Sequence, residues 1–240
     1  MTPGYHDRMR ESSVPLAECR LLEGLPDAAL QDCLHRSGRT SFKRGQWVAR
    51  QGEPANALYV VQSGMLKLLQ LTHQGTELIV RFVGPGGLFG GVVAVDRVPY
   101  PVSAIAVAPT EACTWDSPTL RQLIDTHPTL RANIMREMAS HMTDALSRVR
   151  EMTTLRVSER LALALVRLAR QVGRPTDAGV LIDYPMTRQE LAELAGTTLY
   201  TASRTLAQWT DEGILASTRR DLLIRQPSRL ARLATESQNR

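Results

Sequence analysis

Residues 186–215 read MTRQELAELAGTTLYTASRTLAQWTDEGIL, and this stretch decides the fold because it predicts two short helices joined by a glycine turn. Apolar residues recur at helical spacing in the first helix, over residues 188–195. Gly196 is placed to end that helix, since glycine tolerates the positive φ that such a turn needs. Thr197 or Thr198 can then cap the second helix by accepting a hydrogen bond from one of its free amide groups. The pattern is typical of a helix-turn-helix.

The second helix, over residues 198–211, is predicted to have one buried and one exposed face. The buried face carries Ala202, Leu206 and Trp209. The opposite face, which would enter a DNA major groove, carries Leu199, Tyr200, Ser203 and Arg204. Arg204 can donate two parallel hydrogen bonds to guanine O6 and N7, and Ser203 can bond a base or a phosphate. A helical hairpin inside an ordinary core is the alternative interpretation.

A two-stranded hairpin is predicted directly after the second helix. Residues 213–224, GILASTRRDLLI, contain strands near 214–216 and 222–224 with two arginines at the tip. Arginine and threonine side chains in such places suit phosphate oxygens. The complete set of residues predicted to bind DNA is Thr187, Arg188, Gln189, Thr198, Leu199, Tyr200, Thr201, Ser203, Arg204, Arg219 and Arg220.

These residues resemble the winged helix of the CRP/FNR superfamily of bacterial transcription regulators. The similarity rests on TRQELAELAG at 187–196, followed by a recognition helix that contains Ser203 and Arg204. Two positions depart from the family pattern. Tyr200 stands where most members carry a base-reading glutamate, and Leu199 stands where cyclic-AMP-responsive members carry an arginine. The resemblance therefore implies DNA binding but leaves the target sequence open.

Short apolar runs separated by glycines fill residues 40–118. Runs at 57–61, 65–71, 78–83 and 102–107 alternate or stay apolar, as strands of a two-layer β domain do. This pattern predicts a jelly-roll. Residues 50–91, from RQGEP to LFGG, resemble the cyclic-nucleotide-binding β-roll of the same superfamily.

The predicted fold class is α+β, with an N-terminal jelly-roll β-roll, a long dimerisation helix and a C-terminal winged helix-turn-helix domain. The predicted boundaries are 1–20 for an N-terminal tail, 21–126 for the effector-sensing β-roll, 127–156 for the dimerisation helix and hinge, and 157–240 for the winged helix domain. The resemblance implies three partners, namely double-stranded DNA with a two-fold symmetric operator, RNA polymerase and a second copy of the chain.

The long helix, over residues 127–155, carries an apolar stripe at alternating spacings of three and four. Its members are Met135, Met138, Met142, Ala145, Val149 and Met152. This spacing predicts a coiled-coil seam in a parallel homodimer. An amphipathic helix packed on its own core is the alternative. Ser158 is predicted to cap the helix that follows.

The effector pocket implied by the resemblance contains Phe89, Gly90, Gly91, Val102, Ser103, Met142, Ala145 and Leu146. In cyclic-AMP-binding members, a glutamate holds the ribose, an arginine-serine pair neutralises the phosphate, and two hydroxyl residues contact the base. Here Gly91 replaces the glutamate and Val102 replaces the arginine, while Ala145 and Leu146 replace the hydroxyl residues. A desolvated phosphate without its partner costs several kcal/mol, so we predict that cyclic AMP does not bind.

Composition and cysteine usage limit the other classes of function. The chain has 240 residues and a formal net charge of +5, and it contains no apolar run of membrane-spanning length. Its first residues lack the apolar core of a secretory signal, so a cytoplasmic location is expected. Cys19, Cys33 and Cys113 are scattered, which predicts core thiols rather than a disulfide or zinc site. An iron–sulfur cluster of the FNR kind needs about four cysteines and is not expected.

Several effectors remain open at this level. Residues 89–104, FGGVVAVDRVPYPVSA, somewhat resemble the branch of the superfamily that senses nitric oxide through haem, and His73, His127 and His141 are possible ligands. A regulator without a small ligand, controlled by abundance or by cysteine oxidation, is a further alternative. A metal-binding enzyme on a cupin-like barrel would need clustered histidines and carboxylates. No such cluster is evident, so neither a metal site nor an enzyme is predicted.

Overall fold

Two antiparallel sheets form most of the N-terminal part of the chain. The computed structural model describes residues 15–72, 77–91, 98–182, 184, 186–217 and 221–235, and the chain divides into two units, Met1–Thr143 and Asp144–Arg240. The strands of the first unit are β1 (Gly38–Phe42), β2 (Trp47–Ala49), β3 (Ala57–Ser63), β4 (Leu66–Leu71), β5 (Glu77–Val83), β6 (Leu88–Phe89), β7 (Ser103–Ala106) and β8 (Thr110–Asp116). One sheet has the order β1-β8-β3-β6 and the other β2-β7-β4-β5. The predicted β-roll is confirmed.

Helices of the first unit complete its core. They are α1 (Asp27–His35), α2 (Ser117–Thr126) and the first part of α3 (Pro128–Thr154), preceded by a 3₁₀ turn at Leu16–Glu18. The Trp115 indole N–H donates to the Cys33 carbonyl at 2.9 Å and thereby ties β8 to α1. Leu16 and Cys19 are buried in the same cluster, so packed structure begins inside the segment that was assigned to a tail.

The described residues of the second unit form a small sheet and five helical segments, the first being the end of α3. Its other elements are α4 (Val157–Val172), β9 (Arg174–Thr176), β10 (Gly179–Ile182), α5 (Arg188–Leu194), α6 (Leu199–Asp211), β11 (Leu215–Ser217), β12 (Leu222–Ile224) and α7 (Pro227–Leu233). The sheet has the order β11-β12-β10-β9, and β11 with β12 forms the predicted wing. Arg219 and Arg220, which are predicted at its tip, lie outside the described residues.

The apolar faces of α4 and α6 build the core of this unit. Leu161 and Leu165 of α4 are fully buried, and Leu206 and Trp209 of α6 are nearly so. The face predicted for the second helix of the helix-turn-helix is therefore confirmed. Within the described ranges, no helix combines the length and the apolar character that crossing a bilayer requires.

Candidate functional site

The first helix of the helix-turn-helix begins with a reciprocal cap. The Thr187 hydroxyl accepts from the Glu190 amide at 3.1 Å, and the Glu190 carboxylate accepts from the Thr187 amide at 2.9 Å. This capping box satisfies two of the amide groups that a helix N-terminus leaves free. The Thr187 hydroxyl also donates to that carboxylate at 3.1 Å, so its main interactions are within the cap.

The turn between α5 and α6 is fixed by a glycine and a threonine. Gly196 has φ +60°, and a Cβ added there would lie 2.6 Å from the Met152 sulfur. Both the left-handed backbone and the close approach favour glycine at this position, as the sequence predicts. Thr198 then caps α6 by accepting from the Thr201 amide at 3.2 Å. The cap therefore starts the second helix at the place that the sequence indicates.

The exposed face of α6 presents a mixed apolar and basic surface. Leu199, Tyr200 and Arg204 are exposed and Ser203 is half-buried. Their spacing places all four on one side of the helix. No hydrogen bond or ion pair holds the Arg204 guanidinium among the residues that the structure describes, so it is available to a ligand.

The predicted contacts on α5 are already engaged within the protein. An Arg188 Nη donates to the Ser203 carbonyl at 3.2 Å, and the Gln189 amide donates to the Glu193 carboxylate at 2.9 Å. Both side chains are nevertheless exposed beside α6. The structure thus brings the residues predicted on α5 and α6 to one region of the second unit.

One guanidinium that sequence reasoning missed holds three backbone carbonyls. Arg160 of α4 donates to Ala195 at 2.9 Å and to Gly196 at 3.1 Å, both in the turn before α6. Its third hydrogen bond reaches Leu155, at the end of α3, at 3.0 Å. Carbonyls at helix C-termini lack intrahelical partners, and an arginine can supply several donors at once. Arg160 therefore fastens the helix-turn-helix to the last turn of α3.

A buried ion pair joins α4 to α3. Both Nη atoms of Arg167 donate to the Glu151 carboxylate oxygens at 2.7 Å, and the two side chains are only 18% and 7% exposed. Arg148 lies in the same environment, where burial and the nearby charge of Arg167 lower its pKa.

The start of α4 differs from the sequence prediction that Ser158 is its cap. The Glu159 carboxylate accepts from the Arg156 amide at 2.8 Å instead, so α4 begins at Val157.

The stripe along α3 is open to solvent in the single chain. Large exposed apolar side chains recur along it at Met135, Met138, Met142, Leu146, Val149 and Met152. Leu146 thus joins the stripe beside exposed Ala145, although it was assigned to the effector pocket. These side chains contribute little to the core of one chain, which is the property that a seam between two copies requires.

The residues assigned to the effector pocket have apolar or already bonded surroundings. A Cβ added at Gly91 would face Leu88, Leu58 and Ile134 side chains at 3.6–3.9 Å. The Ser103 hydroxyl accepts a hydrogen bond from the backbone amide of Gln51 at 2.9 Å, and this bond joins two segments of the β-roll.

Phe89, which the resemblance assigns to the same pocket, belongs to a core cluster, and Val102, assigned there too, packs against that cluster. The Phe89 ring is buried and stacks on Tyr100, with ring centroids 5.1 Å apart, and next to it lies Gly90 with φ +88°. Phe89 is therefore positioned to support the sheet rather than to meet a ligand directly.

Sequence reasoning also missed an arginine that bonds the long helix. Arg81 of β5 lies 2.7 Å from Nε2 of His141, and its other Nη donates to the Leu88 carbonyl at 2.8 Å. The Glu137 carboxylate is 3.8 Å from the same histidine nitrogen. Ligation of a haem iron through that nitrogen would require the Arg81 contact to break. His127 is also engaged, by Asp32 at 2.8 Å, and His73 lies outside the described residues.

The first unit also contains a cavity and three cysteine thiols. A cavity of about 310 Å³ is lined by Arg20, Glu23, Asn133, Arg136, Glu137 and Ser140, with balanced charges. No group of three or more metal-ligating side chains occurs in the part of the chain that the structure describes. The three cysteines are buried and unbridged, and burial raises the pKa of the Cys33 thiol to about 11.

Two family models match the chain, one on each unit. A cyclic nucleotide-binding domain matches residues 39–127, and a Crp-like helix-turn-helix domain matches residues 159–233. The CRP-like cAMP-activated global transcriptional regulator of Mycobacterium tuberculosis is 26% identical over 219 residues, covering 91% of this chain and 98% of that protein. The transcriptional activator protein anr of Pseudomonas aeruginosa is 29% identical over 193 residues, covering 80% of this chain and 79% of that protein.

The solved structures give the same fold. FixK2 from Bradyrhizobium japonicum has a TM-score of 0.72 at 24% identity, over 82% of this chain and 96% of that one. The fold, the helix-turn-helix and the relatives define a DNA-binding transcription regulator and not an enzyme. The chain belongs to the CRP/FNR family, in which a sensor domain of the cyclic-nucleotide-binding type precedes a Crp-like helix-turn-helix.

Proposed function

We propose that this regulator binds a two-fold symmetric operator as a homodimer and that its sensor domain responds to a signal other than cyclic AMP. The observation that carries the DNA-binding part is the face of α6, where Arg204 is exposed near Tyr200 and makes no hydrogen bond or ion pair with another described residue. The N-terminal residues of a recognition helix are those that contact base edges. Arg204 would then read a guanine through two parallel hydrogen bonds.

The exposed stripe on α3 supports the homodimer. Six large apolar side chains that lie in water in one chain would be buried by an identical helix, because the spacing of three and four keeps the stripe facing its partner. Two recognition helices related by a two-fold axis would meet successive major grooves about 34 Å apart. RNA polymerase is the further partner that we expect of a regulator that works in this way.

The sensor domain differs from that of the mycobacterial relative whose name describes activation by cAMP. The position of the ribose-binding carboxylate is Gly91, in apolar surroundings, and that of the phosphate-binding arginine is Val102, packed against a core cluster. The base-contacting positions are Ala145 and Leu146. Each lost partner of a buried polar group costs about 1–3 kcal/mol, so the ligand should have a different chemistry.

The experiment begins with selection of operator sequences from random DNA by the full-length protein. Arg204→Ala should then weaken binding to the selected operator by roughly tenfold to a hundredfold, because a bidentate guanine contact is worth about 1–3 kcal/mol. Binding to random DNA should change far less. Arg170→Ala, at an exposed site on α4, serves as the matched control and should leave both affinities unchanged. Equal losses of affinity for the operator and for random DNA would show that Arg204 contacts only the DNA backbone.

A further inference from the structure

The first turn of α6 carries an exposed apolar pair. Leu199 is 48% exposed and Tyr200 is 76% exposed. Among the described residues that follow α3, no other large apolar side chain is exposed to this degree. Such a pair is unusual in the part of the second unit that follows α3, where the other described large apolar side chains are less exposed, and it calls for a partner.

The fold itself does not account for this pair. The core face of α6 is made by Ala202, Leu206 and Trp209, and the cap is made by Thr198. Tyrosine is only an average helix former, so Tyr200 brings no particular helical stability. The pair therefore adds apolar surface at the end of α6 that a recognition helix directs toward base edges.

We propose that Leu199 and Tyr200 contact thymine methyl groups in the operator, an inference that rests on the proposed function. The thymine C5-methyl is the apolar group that base pairs display in the major groove. Tyr200 precedes Arg204 by one helical turn, which is about 6 Å along the helix. The thymines should accordingly lie about two base pairs from the guanine that Arg204 reads, since base pairs are spaced by about 3.4 Å.

The charges on this face favour thymine over cytosine. Residues 199–210 contain no aspartate or glutamate, so the N-terminal turns of α6 offer no carboxylate. Cytosine presents an amino group in the major groove, and glutamate or aspartate is the side chain that accepts from it. A cytosine placed against Leu199 would lose water from its amino group without gaining a carboxylate acceptor, which is unfavourable.

The test replaces single thymines of the selected operator by deoxyuridine, which removes only the methyl group. Substitution at the thymines near the Arg204 guanine should weaken binding about fourfold for each methyl, the change expected for burying one such carbon group. Cytosine at the same positions should bind more weakly still, and 5-methylcytosine should recover part of the loss. Unchanged affinity for the deoxyuridine operator would overturn the inference.

Variants of the pair assign the effect to its side chains. Leu199→Ala and Tyr200→Ser should bind thymine and deoxyuridine operators almost equally, whereas Gln208→Ala, at an exposed site further along α6, should keep the full difference. Tyr200→Phe should behave as the wild type does. A loss with Tyr200→Phe as large as with Tyr200→Ser would mean that the hydroxyl contacts a phosphate, which contradicts the inference for Tyr200.

The outcome also separates this inference from the proposed function. If Arg204→Ala weakens operator binding selectively but deoxyuridine has no effect, DNA reading by α6 stands and the thymine contact is wrong. If no operator is selected, or if Arg204→Ala has no selective effect, the proposed function itself is wrong.

Discussion

Removal of Arg167 should destabilise the second unit more than any exposed arginine would. Its guanidinium makes two 2.7 Å hydrogen bonds to Glu151, whose side chain is 7% exposed. Arg167→Ala leaves that carboxylate buried without its main partner, and breaking such a pair costs about 3–5 kcal/mol. Arg148 lies close enough to interact with Glu151 and should offset part of the loss. We therefore expect the free energy of unfolding to decrease by about 3 kcal/mol, at the lower end of that range.

Hydrogen exchange of α4 and α6 is the appropriate assay, because it reports the opening free energy of this unit separately from that of the β-roll. Arg170→Ala, on the exposed side of α4, is the control and should change the free energy by less than about 0.5 kcal/mol. The double variant Glu151→Met with Arg167→Met should recover much of the stability, since the apolar pair leaves neither of these two charges buried without its partner. Equal protection in Arg167→Ala and Arg170→Ala would refute the reasoning.

Three further outcomes follow from the same structure. Met142→Glu places a carboxylate in the exposed stripe of α3, so sedimentation should show a monomer, whereas Ser140→Glu on the other side of the helix should leave a dimer. Calorimetric titration with cyclic AMP and cyclic GMP should give no heat of binding, and micromolar affinity for either would contradict the pocket assignment. Folding raises the Cys33 pKa from 9.0 to about 11, so the fold favours the neutral thiol. Its contribution to stability should be complete below pH 9 and should disappear as the pH rises through 11, a dependence that Cys33→Ala should reduce in urea unfolding.

The helix-turn-helix could be predicted from sequence because its determinants are local. The capping box at Thr187, the glycine turn and the apolar face of α6 all lie within short windows whose periodicity and spacing carry the information. The wing strands and the β-roll were likewise indicated by alternation and turns.

The interactions that join elements could not be predicted in this way. Arg160 is 36 residues from Gly196, and Arg81 is 60 residues from His141, so no local pattern brings either pair together. Ser158 was expected to cap α4 from its residue type alone, but the Glu159 carboxylate provides the bond. Phe89 is assigned to a pocket by the family resemblance, whereas its stacking on Tyr100 is visible only in three dimensions.

Met152 belongs at once to the apolar stripe and to the neighbourhood of the α5–α6 turn, because its sulfur lies against Gly196. Arg160 donates hydrogen bonds to the Ala195 carbonyl, just before Gly196, and to the Leu155 carbonyl, just after α3. The last turn of α3 and the start of α6 are therefore linked through one side-chain contact and one guanidinium. If two copies pair along the stripe as proposed, the torsion of that last turn would bear on the angle at which Arg204 enters a groove.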